Sequence, residues 1–164
     1  MKNINEFLKS KDIDILWEDH NSVLWVDHRD EDENIVKYTG EMLNIDNLSA
    51  EVIESENELG YEVIIIYGDK KSVVNFNPKK VSRDTTLIAL NEILQPDSEV
   101  RFWMDSVGGD TLAFVPLSSV AWSHLEHEFG IENVRYHFAP IIKTSVMFEM
   151  SIDEMRAIVK ERRL

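Results

Sequence analysis

Cysteine is absent from this 164-residue chain, which excludes disulfide staples, thiolate metal sites and thiol nucleophiles. A reducing compartment is compatible with that absence, and the cytosol is the expected location. The chain also lacks internal repeats, low-complexity tracts and any Pro- or Ser-rich linker, so a single domain spanning residues 1–164 is expected. Long apolar runs are missing as well. Met1 to Lys11 mixes charges with short apolar stretches, unlike the basic-then-apolar layout of a signal peptide, and no membrane segment is expected. The motif inventory is equally bare: there is no G-x-S-x-G elbow and no phosphate-cradling glycine loop. Enzyme function therefore ranks below binding, and no cofactor is implied.

Basic residues are few beside acidic ones, 17 against 31. The formal net charge is −14, and residues 1–67 hold 17 acids against 5 bases, while residues 68–164 hold 14 against 12. Acidity therefore belongs to the N-terminal part. Such a field repels nucleic acid and anionic lipid, and it accelerates encounter with basic partners. The plain alternative is that the charge serves solubility alone. With 43% hydrophobic and 29% charged residues the composition is that of an ordinary folded domain.

Periodicity predicts an α+β fold: an antiparallel sheet, made of a meander plus a second hairpin, packed in one layer against several helices. Ile4, Phe7 and Leu8 share one face of an opening helix, and Ile13, Ile15 and Trp17 alternate as in a short strand. Val23 to Val26 is a β-forming run, and the acidic stretch after it is a loop or a helix start. Helical spacing then runs from Ile35 to about Asn44. Ala50–Glu56, Tyr61–Tyr67 and Ser72–Phe76 form the meander, and the apolar run Val63 to Ile66 predicts a central strand buried on both faces. Ser82 or Asp84 caps a helix that Pro96 stops. Glu99–Met104 and Leu112–Leu117 form the second hairpin around Gly108-Gly109. Ser118 or Ser119 caps a helix ending at Gly130, and Asn133–Ile141 is expected to return as a strand. Ser151 and Glu154 make an S-x-x-E capping box for a last helix.

Several constellations could carry chemistry, each with a bland counterpart. His124 and His127 share a helical face, but they lack a third ligand and the H-E-x-x-H pattern, so half-packed surface histidines are the preferred reading and no metal is expected. Read as a calcium loop, the stretch from Asp27 would need glycine at its sixth position and glutamate at its twelfth, where Asp32 and Tyr38 stand. It reads as a solvated acidic loop. Asp105 and Asp110 bracket Gly108-Gly109, which is mostly turn chemistry. Glu54, Glu56 and Glu58 fall on alternate positions, and on one strand they would project a row of carboxylates. That row is either an interface or an edge blunted by charge against aggregation. Of the four tryptophans, Trp25 adjoins the acidic stretch and is the one placed to anchor a contact.

In overall type the chain resembles the immunity proteins of bacterial toxin systems such as contact-dependent growth inhibition: small, Cys-free, acidic α+β proteins without catalytic motifs. The resemblance implies a protein that occludes a cognate cationic toxin domain, often a nuclease, whose Lys and Arg serve a phosphate substrate. Under it, Asp27, Asp30, Glu31, Asp32, Glu33, Glu54, Glu56 and Glu58 form the electrostatic face, with Trp25 and Tyr61 as anchors. The competing expectations are a small-ligand or regulatory module and an enzyme of unrecognised type.

Overall fold

Successive residues of a strand point to opposite faces, so a strand that is apolar at every position must be covered on both sides. The hairpin β5 (Ser98–Trp103) and β6 (Thr111–Ser118) is covered in this way, since five of its β5 positions and five of its β6 positions are buried. Leu112 and Phe114 join Val100 and Phe102 in one apolar cluster. Ala113 and Val115 join Trp103 in the other. In this computed structural model, which describes residues 1–163, β1 (Leu24–Asp27) pairs with β6, and β7 (Phe138–Pro140) pairs with β5. The result is a four-stranded antiparallel sheet in the order β1-β6-β5-β7.

One face of this sheet is covered by α1 (Lys2–Ser10), the single turn α2 (Asp14–Trp17), α5 (Ser119–Phe129) and α6 (Ile131–His137), through Ile4, Phe7, Leu16, Leu125 and Val134. The opposite face is covered by α3 (Asp32–Leu43) and α4 (Arg83–Leu94), through Ile35, Val36, Leu87, Leu90 and Leu94. That second cluster also takes in Val63 and Ile65 of a separate three-stranded sheet, β2 (Leu48–Glu54), β3 (Tyr61–Tyr67) and β4 (Lys70–Val73). The last helix, α7 (Ile152–Arg162), buries none of its residues fully. Met155, Ile158 and Val159 rest on the edge of the same cluster.

Local chemistry sets the helix ends. Ser82 accepts a hydrogen bond from the Asp84 backbone, Ser118 from Ala121, and Ser151 and Glu154 complete the capping box. Asp84 itself is buried and accepts from the backbone N–H groups of Met147, Phe148 and Glu149, at 3.0, 2.8 and 3.3 Å, which binds the segment before α7 to α4. Asn91 does the same for its neighbourhood, donating to Ile141 O and accepting from Val100 N.

The α+β class holds, but the elements differ from expectation at several places. The meander and the second hairpin lie in separate sheets, and the meander's third strand is Lys70–Val73 where Ser72–Phe76 was expected. Ile13 to Trp17 forms the helical turn α2, because Asp12 caps the Asp14 N–H and one helical turn delivers Leu16 to the core. The segment from Asn133 begins as α6, with Val134 and His137 three residues apart on the buried side; only Phe138–Pro140 is strand. β3 is central to its sheet but buries one face, since Val63 and Ile65 are inaccessible whereas Ile64 and Ile66 are half-exposed. The β5–β6 connection is no tight turn either, because it contains a 3-10 turn at Met104–Ser106. Of its two glycines only Gly108 adopts positive φ, and a Cβ there would stand 3.0 Å from Val159 of α7. Glycine is needed for that close approach.

Candidate protein-binding surface

Directly paired residues of antiparallel strands share a face, so the register of the small sheet assigns every side chain. Val52 pairs with Val63 and Ala50 with Ile65, which sets the inner face. The outer face then carries three rows: Ile53 beside Glu62; Glu51 beside Ile64 beside Val73; and Ser49 beside Ile66 beside Lys71. Ile53 is 40% exposed and Val73 44%, in a chain whose other sheet is covered on both sides. A solvated antiparallel face normally alternates to polar residues. Here four β-branched aliphatic residues sit together at its centre.

Acids lie around this face, but not as the one row the spacing suggested. β2 ends at Glu54, which pairs with Tyr61 and so belongs to the inner face at the exposed end of the strand. Glu56 and Glu58 lie beyond it in the turn 55–60, where the Asn57 side chain accepts from the N–H groups of Leu59 and Gly60. Both are exposed, and so is Glu51 on the outer face; Glu62 is half-exposed. Tyr61, half-buried, packs 6.4 Å from Phe76 between ring centroids.

Phe76 connects this end of the sheet to the acidic corner after β1. The Arg83 guanidinium lies 5.7 Å from the Phe76 ring and donates to Asp30 O at 3.0 Å. Asp30 in turn accepts from the Asp27 N–H at 2.7 Å, closing the corner. The Asp27 carboxylate takes Arg29 through its side chain, at 3.0 and 3.3 Å, and through its backbone, and these bonds lower its pKa to about 2. Its charge is thus matched locally by Arg29. Asp32 must be removed from the expected contact set. It is 6% exposed at the start of α3, paired with Arg83 at 2.8 Å and hydrogen-bonded by Thr86 Oγ1. Burial raises its pKa, against the pull of Thr86 and Arg83. Glu31 is exposed and Glu33 half-exposed, so of the corner's acids Asp30, Glu31 and Glu33 face outward.

Trp25 lies on the side of the large sheet that α1 and α2 cover. Its ring meets Trp17 at 5.0 Å and Trp103 at 6.1 Å, both edge-on. It divides two surface hollows of about 430 and 360 Å³, one bounded by Tyr38 and Met42, the other by Trp17 and Asp110. Its indole N–H is buried without a hydrogen-bond partner.

Two charged clusters carried no local pattern by which the sequence could announce them. Asp105 lies 2.7 Å from His137 Nδ1 and accepts from Arg162 at 3.0 Å; Arg162 also donates to Tyr136 O and lies 4.0 Å over that ring. Burial pushes the Asp105 carboxyl up, but His137 and Arg162 outweigh it and hold the group below its usual range. The ionised carboxylate makes His137 Nδ1–H the donor. The adjoining Ser106 hydroxyl donates to Trp103 O and accepts from Ala113 N, so it is committed to the chain turn. The cluster fastens α6 and α7 to the β5–β6 connection. Arg101, 2% exposed, binds Glu99 and Glu126 and stacks 4.3 Å over Trp122. Such fully bonded buried charges are structural clasps.

His124 and His127 share a shallow surface depression with Ser119, Val120 and Ser123, and among the described residues no three His, Asp or Glu side chains converge as metal ligands do. Nor is any helix long and apolar enough to cross a membrane, among the described residues. Comparison of the chain with protein-family models, with curated proteins and with solved structures gives no match.

Proposed function

We propose that this protein is an immunity-type binding protein that neutralises a cationic toxin domain by covering its basic surface. The observation that carries the reading is the arrangement of outward-facing acids. Asp30, Glu31 and Glu33 at the corner after β1, and Glu56 and Glu58 at the β2–β3 turn, flank one connected strip that runs through Arg83, Phe76 and Tyr61. Asp27 and Asp32 are paired with Arg29 and Arg83 and Asp30 accepts the Asp27 N–H, which leaves Glu31, Glu33, Glu56 and Glu58 to act at long range. Unpaired surface carboxylates add little to stability, but they steer a basic partner and fix its orientation. Trp25 and its hollows favour a second reading, a small aromatic or heteroaromatic ligand seated against the indole ring. A rise in melting temperature with such a compound and no basic partner would favour it.

The test is capture of partners from the native host by the tagged protein at low and then moderate salt. A parallel variant carries Asp30→Ser, Glu31→Ser, Glu33→Ser, Glu56→Ser and Glu58→Ser. A basic toxin domain that elutes as salt rises, is inhibited by the native protein and is not retained by the variant supports the reading. Retention of the toxin by the variant, or capture of no basic protein, overturns it.

A further inference from the structure

We infer that the outer face of the small sheet is the apolar anchor of this binding surface, and that it receives a partner segment whose aliphatic or aromatic side chains are flanked by Lys or Arg. The inference rests on the binding reading above and deepens it by naming the seat and the chemistry of what sits there. Ile64 is the centre of the seat. Val73 pairs directly across from it, Ile66 lies two residues along on the same side, and Ile53 is its diagonal neighbour on β2. Their β-branched side chains form a stiff, shallow ridge-and-groove surface with little rotamer entropy left to lose on binding.

Charge identifies the occupant. Glu51 and Glu62 lie on the face among the aliphatic residues, Glu56 and Glu58 follow at the turn, and Lys71 is the one cation of the three rows. A second copy of this chain laid on the face would bring two such sets of glutamates together against two lysines, so like-charge repulsion opposes self-association. Nucleic acid and anionic bilayers are repelled by the same groups. A basic segment with an apolar centre satisfies both parts of the surface: its side chains cover the methyl groups, and its cations meet Glu51 and Glu62 at the rim. Hot spots in protein interfaces have this layout, an apolar centre inside a polar ring.

The experiment uses the full chain labelled at Ile and Val methyl groups, titrated with a synthetic amphipathic peptide of leucine and lysine and followed by NMR. A lysine–serine peptide of equal charge is the control. The expected result is shifts centred on Ile53, Ile64, Ile66 and Val73, with affinity about tenfold weaker for the control peptide and for the doubly substituted Ile53→Ser/Val73→Ser protein. Glu51→Gln/Glu62→Gln should weaken peptide binding at low salt and leave it unchanged at high salt. Shifts confined to other surfaces, equal binding of both peptides, or a concentration-dependent dimer that buries these methyl groups without peptide would overturn the inference. A captured toxin that is lost by the acid-to-Ser variant and kept by Ile53→Ser/Val73→Ser would overturn it while the binding reading stands. Failure to capture any toxin would remove the reading, and the titration would still decide the face.

Discussion

The two sheets of this protein are built from the same residue types and put them to opposite uses. In the β5–β6 hairpin, both faces of each strand meet helices, so Val100, Leu112, Ala113 and Val115 are withdrawn from water. In the β2–β3–β4 sheet, Val63 and Ile65 face the core, while Ile64, Ile66, Ile53 and Val73 face solvent. An apolar run in sequence therefore marks a strand without saying how many of its faces are covered. The covered sheet and the elements packed on it also hold the fully bonded charges, Arg101 with its two glutamates and Asp105 with His137 and Arg162. The bare sheet is bordered by carboxylates with no strong partner. Buried contacts and ion pairs are concentrated around the first, and exposed aliphatic side chains on the second.

Substitutions that separate the two regions test this division. The largest effect belongs to Phe114→Ala, in the middle of β6 and fully buried against Phe102 and Phe148: a loss of about 4 kcal/mol in urea unfolding is expected. A loss below about 1 kcal/mol would mean that the covered sheet is not the stabilising one. Next comes Asp105→Asn, which leaves His137 and Arg162 without their anion and should cost about 3 kcal/mol near neutral pH. The pH dependence has a definite sign. Because the folded carboxyl titrates below its usual range, its stabilisation is complete above the unfolded value of about 3.9 and is lost as pH falls through the lowered folded value. Asp105→Asn should therefore flatten the acid limb of the stability curve, and an unchanged limb would remove the cluster from this role. The smallest effect is expected from Ile53→Ser with Val73→Ser on the bare face, within about 0.5 kcal/mol of the native protein by thermal unfolding. A large loss there would show that the outer face is part of the core in solution.

Much of the local structure was legible because its causes are local. Ser82, Ser118 and the Ser151–Glu154 box cap the helices they were expected to cap, since a hydroxyl or carboxylate within a few residues of a free N–H needs no distant partner. Segments with two admissible periods were read less well. Ile13 to Trp17 alternates like a strand yet closes a helical turn around the Asp12 cap, and Asn133 to His137 is helical because Gly130 permits a fresh start. Among the site residues, Glu54, Glu56 and Glu58 were spaced like a strand face, but the turn at Asn57 ends the strand after the first of them. Asp32 carried no sign of burial, because its partners Arg83 and Thr86 are more than fifty positions away.

The sequence by itself determined the α+β class, the strands of the meander and the hairpin, the capped helix starts and the concentration of acid in the first 67 residues. Each of these follows from composition, from side-chain period or from hydrogen bonds between near neighbours. Tertiary structure alone decided that the strands divide into two sheets, that one sheet is covered twice and the other once, and which carboxylates stay free. Those outcomes depend on which surfaces meet, and an isoleucine or an aspartate has the same letter whether a helix lies over it or water does.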